Sequence, residues 1–397
     1  MPRMSELKSY LEQRKLENTK MNSKNISFNL NYKPNEYEIL FQNMGIIEMS
    51  KGHRIKHIQT VDKSCYVDIV FKLSDNLSSE DFIKNIEHIR EKIMVDNLDI
   101  ISENGKMIFR IVKEELPVIE YKPKKVPTNL LPYGVDLNNE VLQFNLSTDP
   151  NILIGGVPGC GKSTLLNTLI CHIMYNNLGS LYLVDLKGGI EFGMYEECKC
   201  VKSYSESIDD SYSTIANFKR EMERRVKILK KAGVKKYEEY VKTHKDLKRY
   251  FLIIDEFTDL MPTKKLKDGD YDVCTEIVNI GRKARATGGH VILATQRPSR
   301  ECLPPTLKAV CSGIIGFRCA NVANSKIIID EPGLERLENR QFISICSGFK
   351  IMGRTMFLKD ETLKNIISSN TINENDLPQV PNVNKDINVS SETGDWV

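Results

Sequence analysis

The chain has 397 residues, 41% of them hydrophobic and 27% charged, with a net charge of +3. That length suits two or three domains around a sizeable core, and the composition excludes a disordered or fibrous chain. No apolar run approaches the ~20 residues of a membrane helix and no signal-peptide pattern opens the chain, so a cytoplasmic protein with no membrane span of its own is expected. Ten cysteines scatter without paired spacing, several of them in apolar runs, as reduced core thiols do. Cys198-Lys199-Cys200 is the close pair, and without a second Cys/His pair at ligand spacing it does not read as a zinc site.

Residues 1–29 are too polar for a core and read as a tail or a docking helix, with Ser5 ahead of Leu7, Tyr10 and Leu11. Residues 30–121 read as a small α/β domain. Within it, 66–73 alternates as a strand does, and 79–94 reads as one helix with Phe82, Ile83, Ile86, Ile89 and Ile93 inward. Two short strands, 98–101 and 107–112, flank the turn Glu103-Asn104-Gly105 as a hairpin. Pro123 and Pro127 among Lys122, Lys124 and Lys125 mark residues 122–129 as a linker.

A second domain is expected over 130–372, followed by a polar tail, 373–397. Strand candidates 152–154, 181–184, 251–254, 291–294 and 313–317 alternate with helical patterns. That alternation predicts an α/β fold, a mostly parallel sheet with helices on both faces. Its first strand, Ile152-Leu153-Ile154, runs into Gly156-Val157-Pro158-Gly159-Cys160-Gly161-Lys162-Ser163, followed by Thr164. Leu165, Leu166, Leu169, Ile170, Ile173 and Met174 then recur at helical spacing. Glycines let backbone N–H groups turn in on phosphate oxygens, and the helix N-terminus adds partial positive charge. In this pattern Lys162 reaches the β- and γ-phosphates and Ser163 coordinates Mg²⁺, so ATP and Mg²⁺ are the expected cofactors.

Residues 217–249 hold thirteen Lys/Arg against five Asp/Glu, a polarised charge in a chain whose total is +3. Ile215, Phe218, Met222, Val226 and Leu229 form an apolar stripe, predicting an amphipathic helix with cations outward. Those cations read either as a solvated face or as a surface for a phosphate backbone. The strand at 251–254 then ends in Asp255-Glu256, at the edge where open α/β sheets bind ligands. Asp255 is expected to hold hydrated Mg²⁺ and Glu256 to orient and polarise the attacking water. Gln296, after the strand at 291–294, is a candidate to sense the γ-phosphate or position water.

Several blocks together resemble the FtsK/SpoIIIE DNA-translocase family. They are Glu221-Met222-Glu223-Arg224-Arg225 with Gly233-Val234, then Asp255 through Met261, the helix and turn from Arg282 to His290, and Ala294-Thr295-Gln296-Arg297-Pro298-Ser299. The resemblance implies a RecA-like P-loop ATPase core that assembles as a homo-hexameric ring and moves DNA, duplex more than single-stranded. The cell-division and sporulation members carry membrane helices before the motor and a winged-helix reader after it, and neither is expected here. Asp185-Leu186-Lys187-Gly188-Gly189 and Asn339-Arg340-Gln341-Phe342-Ile343 resemble the TcpA-like coupling proteins of conjugative elements. That likeness implies conjugative or mobile-element DNA transfer, with a membrane-anchored or relaxosome partner met through the tails. Two other readings stay open: a protein-secretion ATPase of the EssC type, and a non-hydrolysing nucleotide-dependent DNA-binding module. The resemblance also sets Lys326 where the family carries an arginine that acts across the subunit boundary. Arg318, closing an apolar strand, keeps bidentate chemistry and is expected to be the stronger trans cation of the two, with surface ion pairing as its alternative.

Overall fold

The computed structural model describes residues 34–62, 66–95, 98–103, 105–112, 116, 118–261, 272–299 and 301–371. The expected tails at 1–29 and 373–397 lie outside these residues, as does Asn104 of the expected hairpin turn. The chain divides into two compact units, Met1–Pro117 with Asp136–Glu140, and Val118–Val135 with Val141–Val397.

The smaller unit opens on helix α1 (Glu36–Asn43), started by Asn35, whose side chain accepts the Glu38 N–H while Glu38 returns a carboxylate to the Asn35 N–H. Strands β1 (Ile55–Asp62) and β2 (Tyr66–Leu73), helices α2 (Ser79–Ile83) and α3 (Ile86–Ile93), and strands β3 (Leu98–Glu103) and β4 (Lys106–Val112) follow. The four strands pair antiparallel in the order β1-β2-β4-β3. Phe41, Phe71, Phe82 and Phe109 meet edge to face at its centre. The helix expected over 79–94 is two. The Asn85 side chain donates to the Asp81 carbonyl at 2.8 Å, and its backbone, at φ −107° and ψ 13°, leaves the helix. Phe82, Ile86, Ile89 and Ile93 still face the core.

The larger unit is a ten-stranded sheet. In chain order it contains β5 (Leu130–Asp136), β6 (Val141–Asn145), β7 (Asn151–Gly155), α4 (Lys162–Asn176), β8 (Gly179–Asp185), β9 (Val201–Ser205), α5 (Ile208–Lys231), α6 (Tyr237–Thr243) and β10 (Arg249–Asp255). Then come α7 (Val273–Ala284), β11 (Gly289–Thr295), α8 (Pro305–Lys308), β12 (Gly313–Phe317), α9 (Val322–Ile329), β13 (Gln341–Cys346), β14 (Phe349–Arg354) and α10 (Asp360–Ser368). The strand order is β6-β5-β14-β13-β12-β7-β11-β10-β8-β9. The six strands from β12 to β9 pair parallel, and β12–β13, β13–β14 and β5–β6 pair antiparallel. Both faces of the parallel part are covered. Ile152, Ile154, Phe251, Ile253, Ile292 and Ala294 pack on the side of α4, and Leu153, Leu252, Ile254, Val291 and Leu293 on the side of α5 and α7. Burial on both faces explains why these strands read as unbroken apolar runs rather than alternating ones.

Residues 118–129, where a boundary at 121 and a linker at 122–129 are expected, run with this larger unit. Tyr121 is buried in its core, and Lys125 Nζ donates to the Tyr175 carbonyl at 2.5 Å. The basic helix departs from expectation at one point of its stripe: Val226 is 37% exposed. Two of its region's cations are also turned inward. Arg225 lies over the Tyr250 ring and donates to Glu221 and to the Lys248 and Thr287 carbonyls, while Arg249 donates to the Thr128 carbonyl. Among the described residues no helix is long and apolar enough to cross a membrane.

Candidate nucleotide site

The phosphate-loop sequence folds between the end of β7 and the start of α4. Its turn depends on glycine at two points. Gly156 has φ +153°, and a Cβ there would stand 2.7 Å from Phe317 Cβ; Gly161 has φ +116°, and a Cβ would stand 3.1 Å from Arg340 Cα. Only a residue without a side chain meets both demands. Lys162, the first residue of α4, is 4% exposed. Its ammonium donates to the Gly156 carbonyl at 2.6 Å and the Val157 carbonyl at 3.2 Å, and burial pushes its pKa down. The loop opens on a cleft of about 870 Å³, whose wall includes Pro158, Gly159, Gly161, Lys162, Ser163 and Thr164. That size suits a nucleotide. Val157 and the buried Cys160 complete the turn, Val157 N–H donating to the Arg318 carbonyl at 2.9 Å.

Parallel pairing sets Asp255 beside Asp185 at the ends of β10 and β8. The two carboxylates do different things. Asp185 accepts the backbone N–H groups of Lys187, Glu191 and Phe192 at 3.1, 2.7 and 2.8 Å and so ties down the loop that follows β8. Asp255 accepts from Lys187 Nζ at 2.6 Å through Oδ2, while its buried Oδ1 has no hydrogen-bond partner. Burial pushes the Asp255 carboxyl up, and the Lys187 bond pulls it back. Ser163 Oγ donates to Glu191 Oε1 at 2.7 Å. The orphaned carboxylate oxygen of Asp255 and the hydroxyl of Ser163 are both oxygen donors of the kind Mg²⁺ takes.

Glu256 adopts φ +62° and ψ +54°, and its carboxylate is held by three groups. Thr258 Oγ1 and Thr295 Oγ1 donate to Oε1, the latter at 3.0 Å, and the Gln296 N–H donates to both oxygens at 3.0 and 2.8 Å. Because β11 lies between β10 and β7, Glu256 is gripped by the strand that separates it from the phosphate loop. Gln296 therefore contributes its backbone to the acid, and its residue lines the cleft.

The two candidate trans cations part company. Arg318 lines the cleft of its own chain, next to the loop that its carbonyl caps. β12 pairs with β7, so its end sets Arg318 beside the phosphate loop of its own chain. Lys326 is exposed on α9 and lies outside the cleft lining. The structure also adds residues that sequence reasoning missed. Lys187 and Glu191 enter from the loop after β8, and Arg340 and Arg354 from the ends of β13 and β14. Arg340 donates its N–H to the Cys160 carbonyl at 2.8 Å, and Arg354 reaches Glu338 at 3.1 Å while its buried Nε has no partner. Lys187-Gly188-Gly189 directly after a strand was a usable signal; Arg354 carried none.

Residues 119–252 match the model of the FtsK/SpoIIIE family. The DNA translocase FtsK of Chlamydia pneumoniae is 33% identical over 223 residues, which are 51% of this chain and 27% of that protein. FtsK of Chlorobaculum tepidum is 30% identical over 242 residues, 57% of this chain and 29% of that protein. The chain thus spans little more than a quarter of the length of these curated relatives. Among solved structures, the pCW3 conjugation coupling protein TcpA, in its monomer form with ATPγS, superposes with a TM-score of 0.60 at 20% identity, covering 84% of this chain and 98% of that one. The cytoplasmic domain of the type VII secretion ATPase EccC of Thermomonospora curvata gives 0.54 at 21% identity, over 64% of this chain and 32% of that one. Both structural likenesses speak to fold.

Proposed function

We propose that this chain, an FtsK/SpoIIIE-family protein by its residues 119–252, is an ATP-driven DNA translocase that works as a homo-oligomeric ring in conjugative or mobile-element DNA transfer. One observation carries the ATPase part: Lys162 and Ser163, at the start of α4 after β7, and Asp255 and Glu256, at the end of β10, lie at one edge of the sheet with only β11 between their strands, and the Asp255 Oδ1 atom is buried and unpartnered. Lys162 binds the β- and γ-phosphates against the loop's N–H groups. Ser163 and, through water, Asp255 would hold Mg²⁺, which would offset the charge of the phosphates. Glu256 orients the attacking water, and the grip of Thr258, Thr295 and Gln296 fixes its direction. The FtsK relatives and the polarised charge of residues 217–249 support DNA as the polymer moved.

Hydrolysis measured with and without Mg²⁺, duplex DNA and single-stranded DNA tests this reading. Turnover should require Mg²⁺ and rise with DNA, duplex more than single-stranded. Because gripping phosphates releases counterions, the apparent DNA affinity should drop steeply between about 50 and 200 mM salt. Lys162→Ala should abolish turnover, while Glu256→Gln should keep nucleotide binding and stop hydrolysis. Wild-type turnover in Lys162→Ala would overturn the ATP site. An active ATPase indifferent to both DNA forms would move protein cargo to first place.

A further inference from the structure

We propose that Lys187 is a second phosphate-contacting cation of the cleft, which exchanges its bond to Asp255 for the terminal phosphate of the nucleotide when that carboxylate engages a metal. The inference rests on the ATPase reading and goes beyond it, because Lys187 belongs to no part of the phosphate-loop pattern. Four groups form one connected line across the cleft. Ser163 Oγ donates to Glu191 Oε1 at 2.7 Å, Glu191 stands 3.9 Å from Lys187 Nζ, and Lys187 Nζ lies 2.6 Å from Asp255 Oδ2. The two ends of that line are the two expected metal ligands. The ammonium supplies the positive charge that the buried Asp255 needs.

A divalent cation and an ammonium on one carboxylate repel each other, and the repulsion is strong in a buried site. An anion within reach of the Lys187 side chain then competes with Asp255 for it. Its residue lines the same cleft as Lys162, Ser163 and Gln296. The backbone around it is built for a swinging side chain on a fixed root. Asp185 pins the loop by three N–H groups, while Gly188 and Gly189 follow Lys187 at φ +69° and +79°, leaving open space beside Gly188. A terminal phosphate is the anion that an ATP complex brings to that place and an ADP complex does not. Lys187 should thus discriminate triphosphate from diphosphate.

The test uses the full chain in two arms. Lys187→Gln keeps a donor for Asp255 but removes the charge, and Lys187→Arg keeps the charge as a second variant. Mn²⁺ titrated into the nucleotide-free protein and followed by electron paramagnetic resonance should bind Lys187→Gln about tenfold more tightly than wild type, because the competing ammonium is gone. Calorimetry with Mg²⁺ should show ATPγS binding weakened about tenfold in Lys187→Gln and ADP binding within about twofold of wild type, with Lys187→Arg retaining the preference for ATPγS. Unchanged Mn²⁺ affinity, or equal changes toward ATPγS and ADP, would reduce Lys187 to a structural partner of Asp255. If wild type bound neither nucleotide, the ATPase reading would fail, and the Mn²⁺ arm would still judge the Lys187–Asp255 competition.

Discussion

Glu256 occupies the left-handed region, which costs an L-residue about 1–2 kcal/mol, and it does so where its carboxylate is met by Thr258, Thr295 and the Gln296 N–H. The backbone turn aims the acid across β11 instead of along β10. If the grip aims the carboxylate, then Thr295→Val, which keeps the shape of the side chain and removes one donor to a charged group, should lower kcat about tenfold with little change in KM for ATP. Steady-state kinetics decides it, and a raised kcat would mean that Thr295 restrains the acid. At this scale the sequence was informative where a residue's role is fixed by its neighbours in the chain, as with Lys162 after Gly161 and Glu256 after Asp255. It was silent where the role depends on what folds alongside. Arg318 shows the difference: its place after an apolar strand was readable, but the pairing of β12 with β7, which turns it toward its own phosphate loop, was not.

Elements follow the same division. The five parallel strands read from apolar runs are central, buried on both faces, and their burial wrote itself into the composition. Strands β5, β6, β9, β13 and β14 were missed, because edge and antiparallel positions carry mixed sequences such as Val201-Lys202-Ser203-Tyr204-Ser205 whose pairing is a tertiary matter. Helix α4 carries a testable consequence of being buried nearly all round. His172 within it bonds Tyr121 Oη at 3.0 Å and Asn176 at 3.3 Å, and burial brings its pKa down to about 4. On β11, burial first and the Arg249 charge second also hold His290 well below its ordinary value. The folded chain therefore resists protons that the unfolded chain accepts. The stability from His172 is fully present above about pH 6.5 and is lost as pH falls from there toward 4, on the order of 3 kcal/mol over the window. Urea unfolding between pH 7.5 and 4.5 should show this slope, and His172→Gln should flatten it. An unchanged slope in the variant would place the acid sensitivity elsewhere.

For the whole molecule, the sorting of the two cations makes a statement about assembly. Arg318 and Lys162 line one and the same cleft, whereas Lys326 is exposed on α9 and absent from that lining. If the chain works as a ring, Arg318 serves the nucleotide of its own chain and Lys326 is the cation available to the next one. An arginine in the trans position is worth roughly 10³–10⁵ in rate where it is known, and a lysine there offers a point charge without the planar two-pronged contact. Mixing two inactive chains separates the assignments. Lys162→Ala has no working loop but an intact Lys326, and Lys326→Ala has a working loop but needs its neighbour's cation. Co-assembled, these two should recover part of the hydrolysis that each lacks alone. Arg318→Ala mixed with Lys162→Ala should recover none, since the only intact loops would sit on chains without Arg318. Recovery in the Arg318 mixture would return that residue to the trans role, and failure of both mixtures, with oligomers verified by sedimentation, would mean that each chain completes its site alone.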